Sequence, residues 1–328
     1  KNDKWYGYKD GKHVNQYQMD EIYTRIITDH NTALQEFEAG RLDDFGLNRN
    51  DMKTYGNSSR LTRTYESYTQ KISMNSNRSK LVSRQSGNGN KAILANYNFR
   101  KGLSLCLDRN NFASQTTAGS KAFTSLLNDL YLTDVENGEM YRNTAQGKSV
   151  YNSVYGELGG NPYAADYTKK PLEESAQGYN FNMATFYVAK GIEEELKSSD
   201  AGHLVPGNKI DLRVYDNESE TTIDMLNFLT KAFSDVVAAA VAKLKESNVL
   251  KDNENITIGI QSQKDEDYYN SAKSGNYDLI FSTWGGAAIN PVGLMQVYCD
   301  STFESNCEYG FKGNQDKVML EIDANGNG

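Results

Sequence analysis

The stretch that decides the fold of this 328-residue chain begins with "KIDLRVYD" at residues 209–216 and ends with "NITIGIQ" at residues 255–261. Both pieces are rich in β-branched and apolar residues, which is typical of strands. Residues 217–246, between them, carry apolar residues at helical spacing, and Asn217 stands where it can cap the helix. Together they predict a crossover unit with parallel strands. The apolar helix positions are Ile223, Leu226, Leu229, Phe233, Val236, Val237 and Ala240.

The pattern continues toward the carboxyl end of this stretch. A second helix is predicted near Asp265–Lys273, with Gly275 as its stop, and "YDLIFST" at residues 277–283 predicts another buried strand. The order strand, helix, strand, helix, strand predicts an α/β fold, in which a mixed and mostly parallel sheet is covered by helices.

A similar unit is predicted near the start of the sequence. Apolar and β-branched residues predict a strand near Ile22–Ile27. The helix that follows has capping-box spacing at Thr32 and Gln35 and stops at Gly40. A short strand near Asp44–Leu47 completes the predicted unit.

Between these units the sequence is less regular. Residues 93–117 have helical spacing at Phe99, Leu103, Cys106 and Leu107, and a change of domain is predicted near residues 67–76. The Tyr-, Asn- and Gly-rich residues 128–178 lack long apolar periodicity and predict a surface excursion. Residues 182–199 predict a helix, with Glu193 to Glu195 and Lys197 on a solvated face.

Charge and composition exclude several classes of function. The net charge of -8 argues against a nucleic-acid partner, because such proteins concentrate Lys and Arg on one face. We find no apolar run near the roughly 20 residues of a membrane helix. The histidines are isolated, so neither a metal site nor a cofactor is predicted. They are His13, His30 and His203.

The three cysteines are too few for a disulfide framework. Cys299 and Cys307 lie eight residues apart in a polar stretch, where one bridge could close a loop, and the sequence leaves this pairing open. Cys106 stands among leucines and is interpreted as a buried small hydrophobe rather than a nucleophile.

The sequence contains no motif typical of an active site. Adjacent carboxylates at Asp43 and Asp44 would point to opposite faces of a strand, so they are interpreted as a solvated turn rather than an acid/base pair. We find no phosphate-binding loop, nucleophile elbow, zinc-protease motif or calcium loop. No catalytic residue is therefore predicted.

The residues after the strand at 277–283 are a different case. Trp284 offers a flat apolar wall, and Gly285 and Gly286 let a ligand approach the main chain directly. The carboxyl end of a parallel strand is also where open α/β sheets place ligands. The alternative is that Trp284 fills the core and the glycines make a tight turn. The pattern alone leaves both interpretations open.

Three phrases resemble one protein family. "NYDLIFSTWGGAAINP" at 276–291 is similar to a strand-to-loop signature of the extracellular solute-binding proteins of peptide ABC transporters. "NYNFRKGLSLCLDRNNFA" at 96–113 resembles that family's "VRxALxxAIDR" helix, and "DEIYTRIITDHNTALQEFEAGRLDDFGL" at 20–47 resembles its "FxxGxxD" segment. The matching helix positions are Phe99, Arg100, Leu103, Leu107, Asp108 and Arg109.

The resemblance implies a periplasmic-binding-protein-like, bilobal fold whose lobes close on a ligand by hinge motion. Residues 1–68 would form part of an incomplete first lobe, and residues 69–328 most of the second, with an excursion at about 128–208. One hinge strand would lie in "YESYTQKISMN" at 65–75. Family members are longer and carry a signal sequence and often a lipid-bearing cysteine, so we expect the chain to be a fragment without its anchor.

The resemblance also assigns candidate ligand-binding residues. Trp284 matches a Trp that lines the peptide cleft, and two glycines match the backbone after it. Ala287 stands where many oligopeptide binders have an Asp that pairs with the peptide amine, which puts recognition of a free amine here in doubt. Asn290 and Tyr68 are weaker candidates, since Asn290 can simply cap a turn and Tyr68 can be hinge packing. The set is Trp284, Gly285, Gly286, Ala287, Asn290 and Tyr68.

The function that the resemblance implies is the capture of oligopeptides for an ABC importer, without catalysis or cofactor. The expected partners are a peptide and a membrane permease, and the expected state is a monomer, anchored by lipid to the outer face of the cytoplasmic membrane. One alternative keeps the fold but binds another small solute or a signalling peptide. Alternatives of another class are an extracellular hydrolase and an adhesion module.

Overall fold

The computed structural model describes residues 19–66, 68–216 and 220–285 of the chain. Contacts divide the chain after Asn48 into two compact units, residues 1–48 and residues 49–328, which are described separately below.

The first unit contains the predicted helix, α1 (His30–Glu38). Its cap is Asp29, whose carboxylate accepts hydrogen bonds from the Thr32 backbone N at 2.8 Å and from its hydroxyl at 2.6 Å. The predicted capping box at Thr32 is therefore wrong, because Asp29 already holds the first turn and Thr32 lies inside it. Gly40, with φ of +71°, follows the helix as predicted.

The two strands predicted beside this helix do not form. Residues 21–29 and 44–48 have no strand pairing, and the side chains of Ile22, Tyr23 and Ile26 are 76, 83 and 92 % exposed. Within the described residues of this unit no neighbouring strand offers hydrogen bonds, and β-branched residues alone do not create a sheet. Phe45 instead packs on Phe37 of α1, with ring centroids 6.1 Å apart.

Within its described residues the second unit contains seven strands and eight α-helices. The strands are β1 (Tyr68–Met74), β2 (Gly89–Asn90), β3 (Leu132–Asp134), β4 (Glu139–Met140), β5 (Lys209–Asp216), β6 (Thr257–Lys264) and β7 (Leu279–Gly285). The helices are α2 (Met52–Tyr55), α3 (Arg78–Val82), α4 (Tyr97–Leu105), α5 (Arg109–Thr116), α6 (Ala145–Tyr155), α7 (Phe181–Lys197), α8 (Glu220–Glu246) and α9 (Tyr268–Ser274).

The main sheet confirms the predicted crossover units. β5 pairs with β6 in parallel along its whole length, and its other side is shared by β2 and β7, both also parallel. β1 adds to the outer side of β7 in the antiparallel sense. The chain order β5, α8, β6, α9, β7 is the predicted alternation, and the sheet is mixed and mostly parallel.

The core lies where α8 packs against α7 and β6. Ile223, predicted on the apolar face of α8, is exposed. Within Thr222–Glu246 a window of 18 residues reaches a mean hydropathy of 1.4, so α8 has the length and composition of a membrane span, a test that the core helix of a soluble protein also passes. The buried α8 side chains include Leu229, Phe233, Val236, Val237, Ala240, Val241 and Leu244.

The helical pattern of residues 93–117 is divided between two helices. α4 ends at Leu105, and Asp108 starts α5 by accepting a hydrogen bond from the backbone N of Asn111 at 3.0 Å. Cys106 lies at the break and is buried, as predicted, and burial raises the pKa of its thiol. α4 approaches α7 closely, because a Cβ at Gly102 would lie 2.5 Å from Val188 Cγ2.

Two sequence interpretations need correction in this unit. Residues 128–178 are more than a surface excursion, since they form the β3–β4 hairpin and α6 and bury Tyr131 and Tyr155. On α7, the Glu193–Lys197 pair is on the solvated face as predicted, but Glu195 is buried and paired with the guanidinium of Arg78. The exposed pair could be predicted because residues four apart are neighbours on any helix. The partner of Glu195 could not, because Arg78 lies in α3, far away in the sequence.

Candidate functional site

The end of β7 extends beyond the rest of the sheet. Among the described residues, β5 pairs with β7 only at Leu279 and Ile280. β1, by contrast, follows β7 along its whole length, from Met74 opposite Leu279 to Tyr68 opposite Gly285. Residues 68–71 and 282–285 therefore form a two-stranded ribbon beyond β5, and we call these residues the ribbon.

The ribbon brings three of the six predicted ligand-binding residues together. Tyr68 is the direct cross-strand neighbour of Gly285, and Thr69 is that of Trp284. Tyr68 was placed with the others only by resemblance, and the antiparallel register now puts it beside them. The other predicted residues, Gly286, Ala287 and Asn290, and the candidate disulfide of Cys299 and Cys307, lie outside the described residues.

Trp284 lies on a polar face of the ribbon. Directly opposed residues of antiparallel strands share a face, so Trp284 lies with Ser282 of its own strand and with Lys71 of β1. Lys71 Nζ donates to Ser73 Oγ at 2.7 Å, and Ser73 Oγ lies 3.2 Å from Ser282 Oγ. The indole thus ends a row of hydroxyl and ammonium groups.

The indole of Trp284 is only 7 % exposed. It is not among the buried residues that form the two hydrophobic core clusters of the described chain. The burial fits the core-filling interpretation, while the position at the end of a protruding ribbon fits the ligand-wall interpretation. Both remain predictions, and the substitution at this position discussed below separates them.

The start of β7 is fixed by a buried charge cluster that the sequence did not reveal. Asp278 is fully buried, and its Oδ1 accepts a hydrogen bond from Arg84 Nη2 at 2.9 Å. Its Oδ2 accepts from Lys91 Nζ at 2.6 Å and from the Arg213 backbone N at 3.0 Å. A carboxylate buried this deeply is stable only when charged and neutral donors satisfy it.

The same cluster joins the end of β1 to the start of β7. The Asn75 side-chain amide donates to the carbonyl oxygens of Gly275 at 3.0 Å and of Tyr277 at 2.8 Å. The backbone N of Asn75 donates to the carbonyl O of Asp278 at 2.9 Å. Arg84 Nη1 also donates to the Gly275 carbonyl at 2.9 Å. The "YD" of the signature phrase is therefore the fixed end of the strand that presents Trp284.

Groups of metal-binding side chains and surface depressions were the other candidate sites in the described part of the chain. Across residues 19–66, 68–216 and 220–285 no group of three or more His, Cys, Asp or Glu side chains is arranged to hold a metal ion. A shallow depression of about 340 Å³ on the second unit contains none of the predicted ligand-binding residues. It is lined by Asp108, Asn110, Asn111, Ser114, Ala176 and Tyr179.

Comparison with known proteins gives a match to one protein family. The family model described as bacterial extracellular solute-binding proteins, family 5 Middle, matches residues 1–306. Comparison with curated protein sequences gives no match.

Solved structures with the same fold include three peptide-binding or transport proteins. Listeria monocytogenes OppA bound to peptide is 16 % identical with a TM-score of 0.57, and the match covers 86 % of this chain and 43 % of that one. The substrate-binding domain of an oligopeptide ABC transporter from Bacillus anthracis is 13 % identical with a TM-score of 0.55, covering 87 % and 43 %. The pheromone receptor PrgZ is 14 % identical with a TM-score of 0.55, also covering 87 % and 43 %.

These likenesses confirm the predicted periplasmic-binding-protein-like α/β fold. The chain spans about 43 % of the length of the solved proteins that it matches.

Proposed function

The chain belongs to the bacterial extracellular solute-binding proteins of family 5, and from this membership we propose that it is part of the ligand-capturing component of an ABC importer for oligopeptides. The observation that carries the proposal is the family match over residues 1–306. Two structural relatives, an OppA bound to peptide and a pheromone receptor with a described mode of peptide binding, support a peptide as the ligand.

The ribbon supports a specific mode of capture. Peptides offer repeated N–H and C=O groups, so a wall that presents its own main chain can bind many sequences. Gly285 has no side chain to shield its backbone, and Trp284 beside it supplies a flat apolar surface. Capture by backbone groups needs no catalytic residue, and the family consists of binding proteins.

The lobe boundary that we propose falls at the ribbon. Residues 1–68 would form part of the first lobe, and residues 69–328 would form most of the second, including the segment at about 128–208. β1 (Tyr68–Met74) begins where the predicted hinge strand lies. Two neighbouring strands that leave a sheet together are suited to carry a hinge motion, because they can bend without breaking the pairing between them.

Family membership supports a location outside the cytoplasm. A lipid anchor on the outer face of the cytoplasmic membrane, a membrane permease as the partner and a monomeric state are further parts of the proposal. The permease follows from the mode of transport, since a captured ligand must be released at the membrane, and the resemblance to the family supports the anchor and the monomeric state.

A second candidate keeps the fold and changes the ligand. Ala287 stands where many oligopeptide binders have the Asp that pairs with a free amine. Loss of that charge favours a ligand whose amino terminus is blocked or bound elsewhere, such as a signalling peptide or another small solute. One structural relative is the pheromone receptor PrgZ, described with its mode of peptide binding.

The test is to purify the full-length protein and identify the bound molecules by mass spectrometry. A heterogeneous mixture of short peptides is the result expected from the main proposal. A single peptide species would favour the signalling candidate. A single compound that is not a peptide would contradict both peptide proposals.

A further inference from the structure

A segment of the second unit runs along the start of β1, at Tyr68 and Thr69. We call residues 119–128 the strap. Thr69 Oγ1 donates a hydrogen bond to the carbonyl O of Leu126 at 3.0 Å. The side-chain amide of Asn128 donates to the carbonyl oxygens of Glu66 at 3.2 Å and of Tyr68 at 3.1 Å. β1 is paired with β7 on one side, so Asn128 satisfies acceptors on its other edge.

The strap also contacts the chain just before β1. Lys121 Nζ lies 5.0 Å from the ring centroid of Tyr65 and 3.4 Å from its hydroxyl. A Cβ at Gly119 would lie 2.8 Å from Arg63 Nη1, so the two segments touch there as well. The contacts therefore continue from residue 63 to residue 69.

The far side of the strap is anchored in the fold. Leu127 and, three residues after the strap, Tyr131 are buried. Arg142 contacts the strap and the residue that follows it. Its guanidinium lies 4.3 Å from the ring centroid of Phe123, and its Nη1 donates to Asp129 Oδ1 at 2.8 Å. A segment fixed at these points can restrain the strand that it touches.

The strap reaches the face of the ribbon that carries Trp284. Thr69 is the direct cross-strand neighbour of Trp284, so the two side chains lie on the same face. The hydrogen bond from Thr69 to Leu126 therefore holds the strap next to the indole. β1 is an edge strand of the sheet, so the strap covers the edge of β1 that faces away from β7.

We propose that the strap positions the ribbon for ligand binding, with Asn128 and Thr69 as its positioning residues. The inference rests on the proposed function. Asn128 holds the backbone of Tyr68, and Thr69 holds the strap beside Trp284. Without these bonds the start of β1 opens locally, and the wall formed by Tyr68, Trp284 and Gly285 loses its fixed geometry.

The test measures hydrogen exchange in the unliganded full-length protein, together with retention of peptides from a tryptic digest of casein. In Asn128→Ala, we expect the amides of residues 68–72 and 282–285 to exchange about tenfold faster, because two hydrogen bonds are lost. Thr69→Val should accelerate them by about threefold, while Thr69→Ser, which keeps the hydroxyl, should not. Peptide retention should fall in Asn128→Ala and Thr69→Val.

The matched control is Asn137→Ala in the β3–β4 turn, where the side-chain amide donates to Asp134 Oδ2 at 2.6 Å. It should leave both the ribbon exchange and peptide retention unchanged. Unchanged ribbon exchange in Asn128→Ala would overturn the proposal. So would acceleration that extends equally to β5 and β6, or faster ribbon exchange with undiminished peptide retention.

Failure of the proposed function gives a different result. If the parent protein retains no casein peptides, the capture of oligopeptides is contradicted. Ribbon exchange in the same samples then still supports or overturns the restraint by the strap, because it is measured without ligand.

Discussion

The two ends of β7 are held in opposite ways. At its start, Asp278 is fully buried and bound by Arg84 and Lys91 through charged hydrogen bonds. At its end, Trp284 and Gly285 lie in the ribbon, where β1 is their paired strand among the described residues and neutral hydrogen bonds join β1 to the strap. Buried charged contacts are costly to break, whereas neutral ones contribute about 1 kcal/mol each. The strand is therefore rigid where it enters the sheet and easier to move where it presents the candidate ligand wall.

The largest effect is expected at the rigid end. Asp278→Ala leaves the ammonium of Lys91 and the guanidinium of Arg84 without their buried carboxylate, and we expect the free energy of unfolding to fall by about 3–5 kcal/mol. Urea unfolding of the full-length protein measures this loss.

The control for this substitution replaces the carboxylate together with the ammonium and leaves Arg84 in place. The double variant Asp278→Leu with Lys91→Met removes the buried pair as a whole, and it should be more stable than Asp278→Ala because no unpaired ammonium remains beside the site. If Asp278→Ala lowered the free energy of unfolding by less than about 1 kcal/mol, the claim that the charge cluster fixes the start of β7 would be contradicted.

An intermediate effect on stability and a large effect on binding are expected at the other end. Trp284→Ala should weaken peptide binding by about tenfold or more, because the flat wall is removed. The ligand-wall interpretation expects a cost in unfolding free energy of about 1–2 kcal/mol, below the range of about 3–5 kcal/mol that is usual for a core Trp. Titration calorimetry with a peptide identified from the purified protein, and urea unfolding, give the two values.

The matched variant Trp284→Phe keeps an apolar ring and loses the indole N–H and part of the flat surface. It should retain most of the stability and only part of the binding. If instead Trp284→Ala mainly unfolds the protein and Trp284→Phe binds normally, Trp284 fills the core and the ligand-wall interpretation is wrong.

The smallest effect is expected within the polar row of the ribbon. Ser282→Ala removes the hydroxyl that lies 3.2 Å from Ser73 Oγ, a contact between half-buried side chains. We expect a loss of about 0.5–1 kcal/mol in unfolding free energy, which is the range for one neutral hydrogen bond. A loss as large as that of Asp278→Ala would show that the ribbon is as rigid as the start of the strand.

Local pattern predicted the elements that depend on residues close in sequence. β5, β6, β7, α7, α8 and α9 were all expected from apolar periodicity and stop signals, and the position of β1 from the resemblance. The strands predicted near Ile22–Ile27 and Asp44–Leu47 failed, because a strand requires a hydrogen-bonded neighbour and its own sequence does not provide one.

The candidate site was predicted only in part, for a similar reason. Trp284 and Gly285 could be found from the sequence that follows a buried strand. The pairing of Tyr68 with Gly285 joins residues more than two hundred positions apart, and that of Lys91 with Asp278 nearly as many. No periodicity within a window of the sequence could have indicated either contact, or the burial of Glu195 against Arg78.

By itself, the sequence determined the α/β class, the alternation of strands and helices and the family, because helix and strand periodicity and short signature phrases are local properties. Only the tertiary structure decided which strands pair and where buried charges meet. It also decided that β7 is fixed at Asp278 and extended at Trp284, since these features depend on backbone register and burial among residues distant in the chain.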